Sequence, residues 1–129
     1  FYGIPTNKRP DTKDCIFLST HEPCSLCLSA ITWTGFDNIY YFFPYLDTKN
    51  KFNIPHDLKI LKDVFNIENG NYNSDNNYWK SYSIINNINL LKEPERSHLR
   101  EKVSKIIKIY QNFSDLYQKN KSKNIIPLN

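Results

Sequence analysis

The chain contains no methionine, three glycines and three cysteines among 129 residues. Without a methionine at position 1 or elsewhere, it reads as a processed or truncated product. No apolar run approaches the ~20 residues that a membrane-spanning helix needs, so no membrane partner is expected. Nothing at Phe1-Tyr2-Gly3 has the character of a signal peptide. Three cysteines, two of them close together, are too few for a secreted disulfide framework, and a reducing, cytoplasmic setting is expected. Phosphate-cradling G-x-G-x-x-G and P-loop elements are missing, as is the G-x-S-x-G of serine hydrolases, and no internal repeat is visible.

What is present is a globular composition, 40% hydrophobic and 15% aromatic, long enough for one domain or one domain with an extension. The formal charge of +4 is unevenly distributed. Residues 1–91 hold 8 basic and 9 acidic side chains, whereas residues 92–129 hold 9 and 4. A basic helical tail can follow a phosphate backbone, although a charged helix face is more commonly just solvated. Abundant Asn, Lys, Ile and Tyr are read as genome bias rather than as function.

The centre of the chain is Ser19-Thr20-His21-Glu22-Pro23-Cys24-Ser25-Leu26-Cys27, a strand running into a turn that opens a helix. Cysteines at i and i+3 place both sulfurs on one helix face, and the helix N-terminus favours their negative charge. Such a pair can grip one zinc ion. It can also be a redox pair, or simply pack.

Around this centre, residues 1–14, with Pro5 and Pro10, read as a loop. Cys15 to Ser19 is apolar enough to predict a strand buried on both faces, as in a parallel sheet. Cys15 itself is expected to be structural. A helix follows from Ser25 to Thr34, stopped by Gly35, then an aromatic strand from Ile39 to Phe43 and a loop from Pro44 to Thr48. Helical spacing predicts a helix from His56 to Phe65 and another from Tyr78 to Leu91, separated by a polar loop over 70–77. After Pro94, the residues Leu99, Val103, Ile106, Tyr110, Phe113 and Tyr117 form a heptad seam, read as an arm packed on the domain or on a dimer partner. Residues 118–129 read as a polar tail with an apolar end.

Pro23-Cys24-x-x-Cys27, with Glu22 before it and Ala30-Ile31 and a strand after it, resembles the zinc-dependent cytidine/deoxycytidylate deaminase superfamily, which includes tRNA-adenosine and guanine deaminases. The likeness covers roughly residues 14 to 48. That family's signature is H-x-E followed by P-C-x-x-C, with zinc on the His and both cysteines and the Glu moving protons. No H-x-E occurs in this sequence. The resemblance therefore implies that the chain begins inside the domain, just after the helix bearing that motif. The fold it implies is a three-layer α/β/α sheet, with 1–91 as the later part of a deaminase-like domain and 92–129 as a helical extension.

By the same resemblance, the full protein would be a hydrolytic deaminase of a nucleobase, nucleoside or tRNA base, and the chain alone inactive. Cys24 and Cys27 would hold Zn²⁺, and no residue here matches the catalytic Glu. Tyr45 and Asp47, after the second strand, would contact substrate, and His21 would turn its carbonyl towards the leaving amino group. His21 is also an alternative third ligand. Glu22 would orient a neighbour or cap a helix. Expected partners are a small nucleobase or nucleoside, or tRNA, with a homodimer as the assembly. The alternatives are a non-catalytic module stabilised by zinc, and a remnant that binds no metal.

Overall fold

A computed structural model describes residues 3–123, and the apolar end of the expected tail, Ile125 to Leu128, lies outside them. The architecture is α/β: a three-stranded parallel sheet with helices and a long C-terminal helix. Strand β1 (Phe17–His21) pairs with β2 (Asn38–Phe43), which pairs in turn with β3 (Lys80–Ser83). Five helices accompany the strands among the described residues: α1 (Ser25–Thr34), α2 (Tyr45–Phe52), α3 (His56–Phe65), α4 (Ile84–Leu90) and α5 (Glu95–Asn120). Because all three strands run the same way, the β1 and β2 C-termini open on one edge, and the cysteine turn leaves from there.

Helix α1 stops at Gly35, whose φ of 82° suits a residue without a β-carbon. Leu28 and Ile31 of α1 pack on Ile39 of β2 and on Trp79, with Phe17, Phe36 and Tyr72 around them. Asn53 and Asn66, both left-handed, end α2 and α3. Among non-glycine residues, asparagine tolerates that conformation best.

Five expectations are corrected. The first strand is displaced by two residues, because Cys15 ends a short turn in which its thiol donates to the Asp11 carbonyl at 3.3 Å. That strand is also not covered on both faces: burial alternates along it, and Leu18 is 69% exposed.

The stretch from Pro44 to Thr48 is not a loop but opens α2, which buries Tyr45, Thr48 and Phe52. An Asp47–Lys51 pair at 2.8 Å spans one helical turn on its surface.

The helix expected from Tyr78 to Leu91 divides into β3 and α4. Backbone pairing with β2 claims residues 80–83, and the Ser83 hydroxyl then accepts from the Asn86 amide at 3.2 Å to start α4.

The seam of α5 rotates along its length: Ile107 and Ser114 are half-buried, while Ile106 and Phe113 are 37% and 62% exposed. A straight helix repeats every 3.6 residues, so a strict seven-residue row drifts off the contact face. The helix is anchored to the domain by Tyr110, whose ring lies 4.9 Å from Phe43. The Ser114 hydroxyl also donates to the Phe52 carbonyl at 2.6 Å.

Candidate functional site

Cys24 is the N-cap of α1, its sulfur accepting from the Cys27 amide at 3.4 Å. Three residues apart, the two thiols meet at 3.3 Å. This contact, with Cys24 as partner, and then burial push the Cys27 thiol above its ordinary pKa. Cys27 is exposed and Cys24 half-buried.

A tetrahedral zinc with Zn–S bonds of about 2.3 Å separates two sulfurs by about 3.8 Å. The observed spacing is close enough for a small side-chain rotation to reach it. The pair therefore fits two of the four positions of such a site. Among the described residues, no group of three or more His, Cys, Asp or Glu side chains is placed to hold a metal ion.

His21 sits in an aromatic cluster. Its ring packs at 5.2 Å from Phe43, 5.6 Å from Tyr110 and 5.8 Å from Phe52. Burial lowers its pKa, and the Asp57 carboxylate partly restores it. The His21 carbonyl accepts from the Ser19 hydroxyl at 2.6 Å.

Glu22 is held inside the fold. One carboxylate oxygen accepts from the Tyr45 amide, at the start of α2, and the other from the Tyr72 hydroxyl, both at 2.9 Å. Its backbone amide donates to the Phe43 carbonyl at 2.8 Å. Glu22 thus caps a helix, as expected of it, though the helix is α2 rather than the one that follows it. Burial raises its pKa, opposed by the bonds from Tyr45, Tyr72 and Tyr41. The same burial, with the Glu22 charge nearby, pushes all three phenols above their ordinary range.

Tyr45 is only 4% exposed, and its hydroxyl donates to the carbonyl of Pro23, the residue before Cys24. Tyr45 therefore acts on the turn from inside the fold. Asp47 lies two residues further along α2, paired with Lys51.

Two residues that the sequence reading passed over belong to this region. Asp57, in the first turn of α3, is half-buried, and burial raises its pKa. Its charge is felt at His21, Glu22, Cys27 and Tyr45. An acidic residue just after Pro55 marked a helix start but gave no hint of which residues it would face. Tyr72 sits in a polar loop, fifty residues from the carboxylate it binds. Only the tertiary fold joins them.

Comparison with protein-family models, curated proteins and solved structures found no match.

Proposed function

We propose that this chain supplies the two thiolate ligands of a zinc-dependent hydrolytic deaminase. Its substrate would be the amino-bearing ring of a nucleobase or nucleoside. The reading includes a three-layer α/β/α domain to which the three parallel strands belong. The observation that supports it is the pair of sulfurs 3.3 Å apart on the first turn of α1, at the C-terminal edge of a parallel sheet. Open α/β sheets hold ligands at that edge.

Zinc bound there would lower the pKa of a coordinated water to near 7 from about 15.7. Cys24 and Cys27 would hold the ion, and the amide dipoles of α1 would favour their charged form. Cys24 must keep its N-cap geometry for both sulfurs to face one point. Residues 22 and 23, tied to Tyr45, Tyr72 and Phe43, keep the turn in place. The remaining protein ligand and the proton-moving Glu come from outside residues 3–123 in this reading. The basic surplus of residues 92–129 falls largely on α5, a helix already bound to the domain by Tyr110 and Ser114, and we assign it to solvation rather than to RNA.

The test measures zinc by X-ray fluorescence in the native full-length protein, and ammonia release from cytosine, cytidine, guanine, adenine and tRNA. One zinc per chain, its loss in Cys24→Ser, and deamination of a free base or nucleoside are expected, with the 129-residue chain inert. A protein without zinc, or a Cys24→Ser variant that keeps it, overturns the reading. Zinc-dependent ammonia release by the 129-residue chain alone would move the third ligand to His21. Stoichiometric zinc with no hydrolysis would point to an interaction module.

A further inference from the structure

We propose that Tyr45 and Tyr72 are positioning residues for the Cys24–Cys27 pair, acting through the Pro23 carbonyl and the Glu22 carboxylate. The proposal deepens the zinc reading by naming what fixes the geometry of its two ligands.

Backbone geometry aims the sulfurs. A thiol at an N-cap is aimed by the peptide that precedes it, and here that peptide is Glu22-Pro23. Pro23 has no amide hydrogen, so its carbonyl is the only backbone group it can offer to an anchor. That carbonyl is buried and accepts the Tyr45 hydroxyl. Glu22 meanwhile takes the first free amide of α2 and the hydroxyl of Tyr72, each at 2.9 Å.

One residue, Tyr45, thereby bonds to both positions before Cys24, through its hydroxyl to Pro23 and through its amide to Glu22. Tyr72 holds the second carboxylate oxygen, so the carboxylate cannot swing away from α2. The Tyr45 and Tyr72 rings meet edge to face at 6.1 Å, and Tyr72 rests in turn on Trp79 at 5.9 Å. The turn is therefore braced against the core through side chains bonded to residues 22 and 23. Bracing of this kind around a metal-binding pair sets affinity, because ligands already in place lose less freedom on binding.

The test uses the reduced 129-residue chain with two probes. Cobalt(II) reports a thiolate-bound metal by its charge-transfer absorbance, and phenylarsine oxide binds two closely spaced thiols without any third ligand. Tyr45→Phe and Tyr72→Phe each remove one hydroxyl and keep the ring. Both variants are expected to bind each probe about tenfold more weakly, the effect of one hydrogen bond, with circular dichroism unchanged. Tyr78→Phe, at a 70% exposed tyrosine, is expected to match the wild type.

If the wild type takes the arsenical but no cobalt, the two cysteines hold no metal without the ligand from outside residues 3–123, and a tenfold loss of arsenical affinity still supports the positioning role; the zinc reading itself fails only if the native full-length protein holds no zinc. If both variants fold and hold the arsenical as tightly as the wild type, the positioning proposal is overturned. Should Tyr45→Phe fail to fold, the Tyr72→Phe comparison decides.

Discussion

The indole N–H of Trp79 donates to the Thr32 hydroxyl at 2.8 Å, joining the residue that leads into β3 to the helix that carries the cysteines. The Thr32 hydroxyl in turn donates to the Leu28 carbonyl, also at 2.8 Å, so it serves as donor and acceptor at once. Trp79 is 7% exposed and packs on Leu28, Ile31 and Ile39. Its indole donor is largely shielded from solvent.

Replacing Thr32 with Val keeps the shape and strands that donor. Thr32→Val is expected to lower stability by about 1–3 kcal/mol, the range for leaving a buried polar group unpaired. Urea unfolding followed by tryptophan fluorescence measures it. The second tryptophan, Trp33, is 90% exposed, so the spectral change on unfolding belongs mainly to Trp79. A shift smaller than about 0.5 kcal/mol, the ordinary scatter for surface changes, would show that the bond carries no weight.

A second prediction concerns His21, whose ring closes an aromatic cluster joining β1, β2, α2 and α5. Burial depresses its pKa below the ordinary 6.5, so the unfolded chain binds the proton more readily than the folded one. Its contribution is therefore full above pH 6.5 and is lost as pH falls through that value towards the lower folded pKa. Glu22 and Asp57 run in the opposite sense. Their raised pKa values mean that acidification protonates the folded state first and favours it. Total stability hides these opposing trends, whereas the difference between the wild type and His21→Phe isolates the imidazole. Between about pH 7.5 and 5.5 that difference is expected to move steadily in favour of the variant. Parallel curves across the range would contradict it.

The cysteine turn and its flanking elements were legible because their signals are local. Pro23, the i, i+3 cysteines and Gly35 fix where α1 starts and stops, and the aromatic run from Ile39 leaves little choice but a strand. Parallel pairing was expected from an apolar run read as buried on both faces, and the pairing is parallel although that premise fails, with Leu18 69% exposed. The boundary between β3 and α4 was not legible in the same way, because Trp79, Tyr82, Ile85 and Ile88 satisfy a helical spacing that strand pairing overrides. Ser83 was the available signal, a capping residue in the middle of an apparent helix. Helix α2 was missed because eight residues with little intrinsic preference form a helix only when tertiary contacts supply its cap and its buried face. Both come from afar: the carboxylate of Glu22 and the packing of Tyr45 and Phe52. For the same reason the second half of the site, Tyr72 and Asp57, could not be read from spacing at all.

A third prediction follows from the loop that carries Tyr72 towards Glu22. Gly70 sits at φ 72°, and a β-carbon there would lie 2.7 Å from Cδ2 of Tyr45 and 3.1 Å from Cδ2 of Leu58. The first distance is below any ordinary contact. Tyr45 is buried and bonded at both its amide and its hydroxyl, so its ring has little freedom to retreat. Alanine at this position must bear the left-handed backbone, which costs about 1 kcal/mol, and must also displace either the loop or the tyrosine. Gly70→Ala is expected to lower stability by about 2 kcal/mol or more, given that overpacking alone costs about 1–3 kcal/mol. Gly70→Asn separates the two causes, since asparagine accepts the backbone but has the same β-carbon. If Asn is as damaging as Ala, contact with Tyr45 dominates; if Asn recovers most of the loss, the backbone does. The geometry favours contact, so both variants should be destabilised alike in denaturant titrations. Both should also loosen the grip of the cysteine pair on phenylarsine oxide, because the atom displaced belongs to the residue that bonds to Pro23. A stable Gly70→Ala protein with wild-type arsenical affinity would mean that the loop yields and that Tyr45 is not held as tightly as its bonds imply.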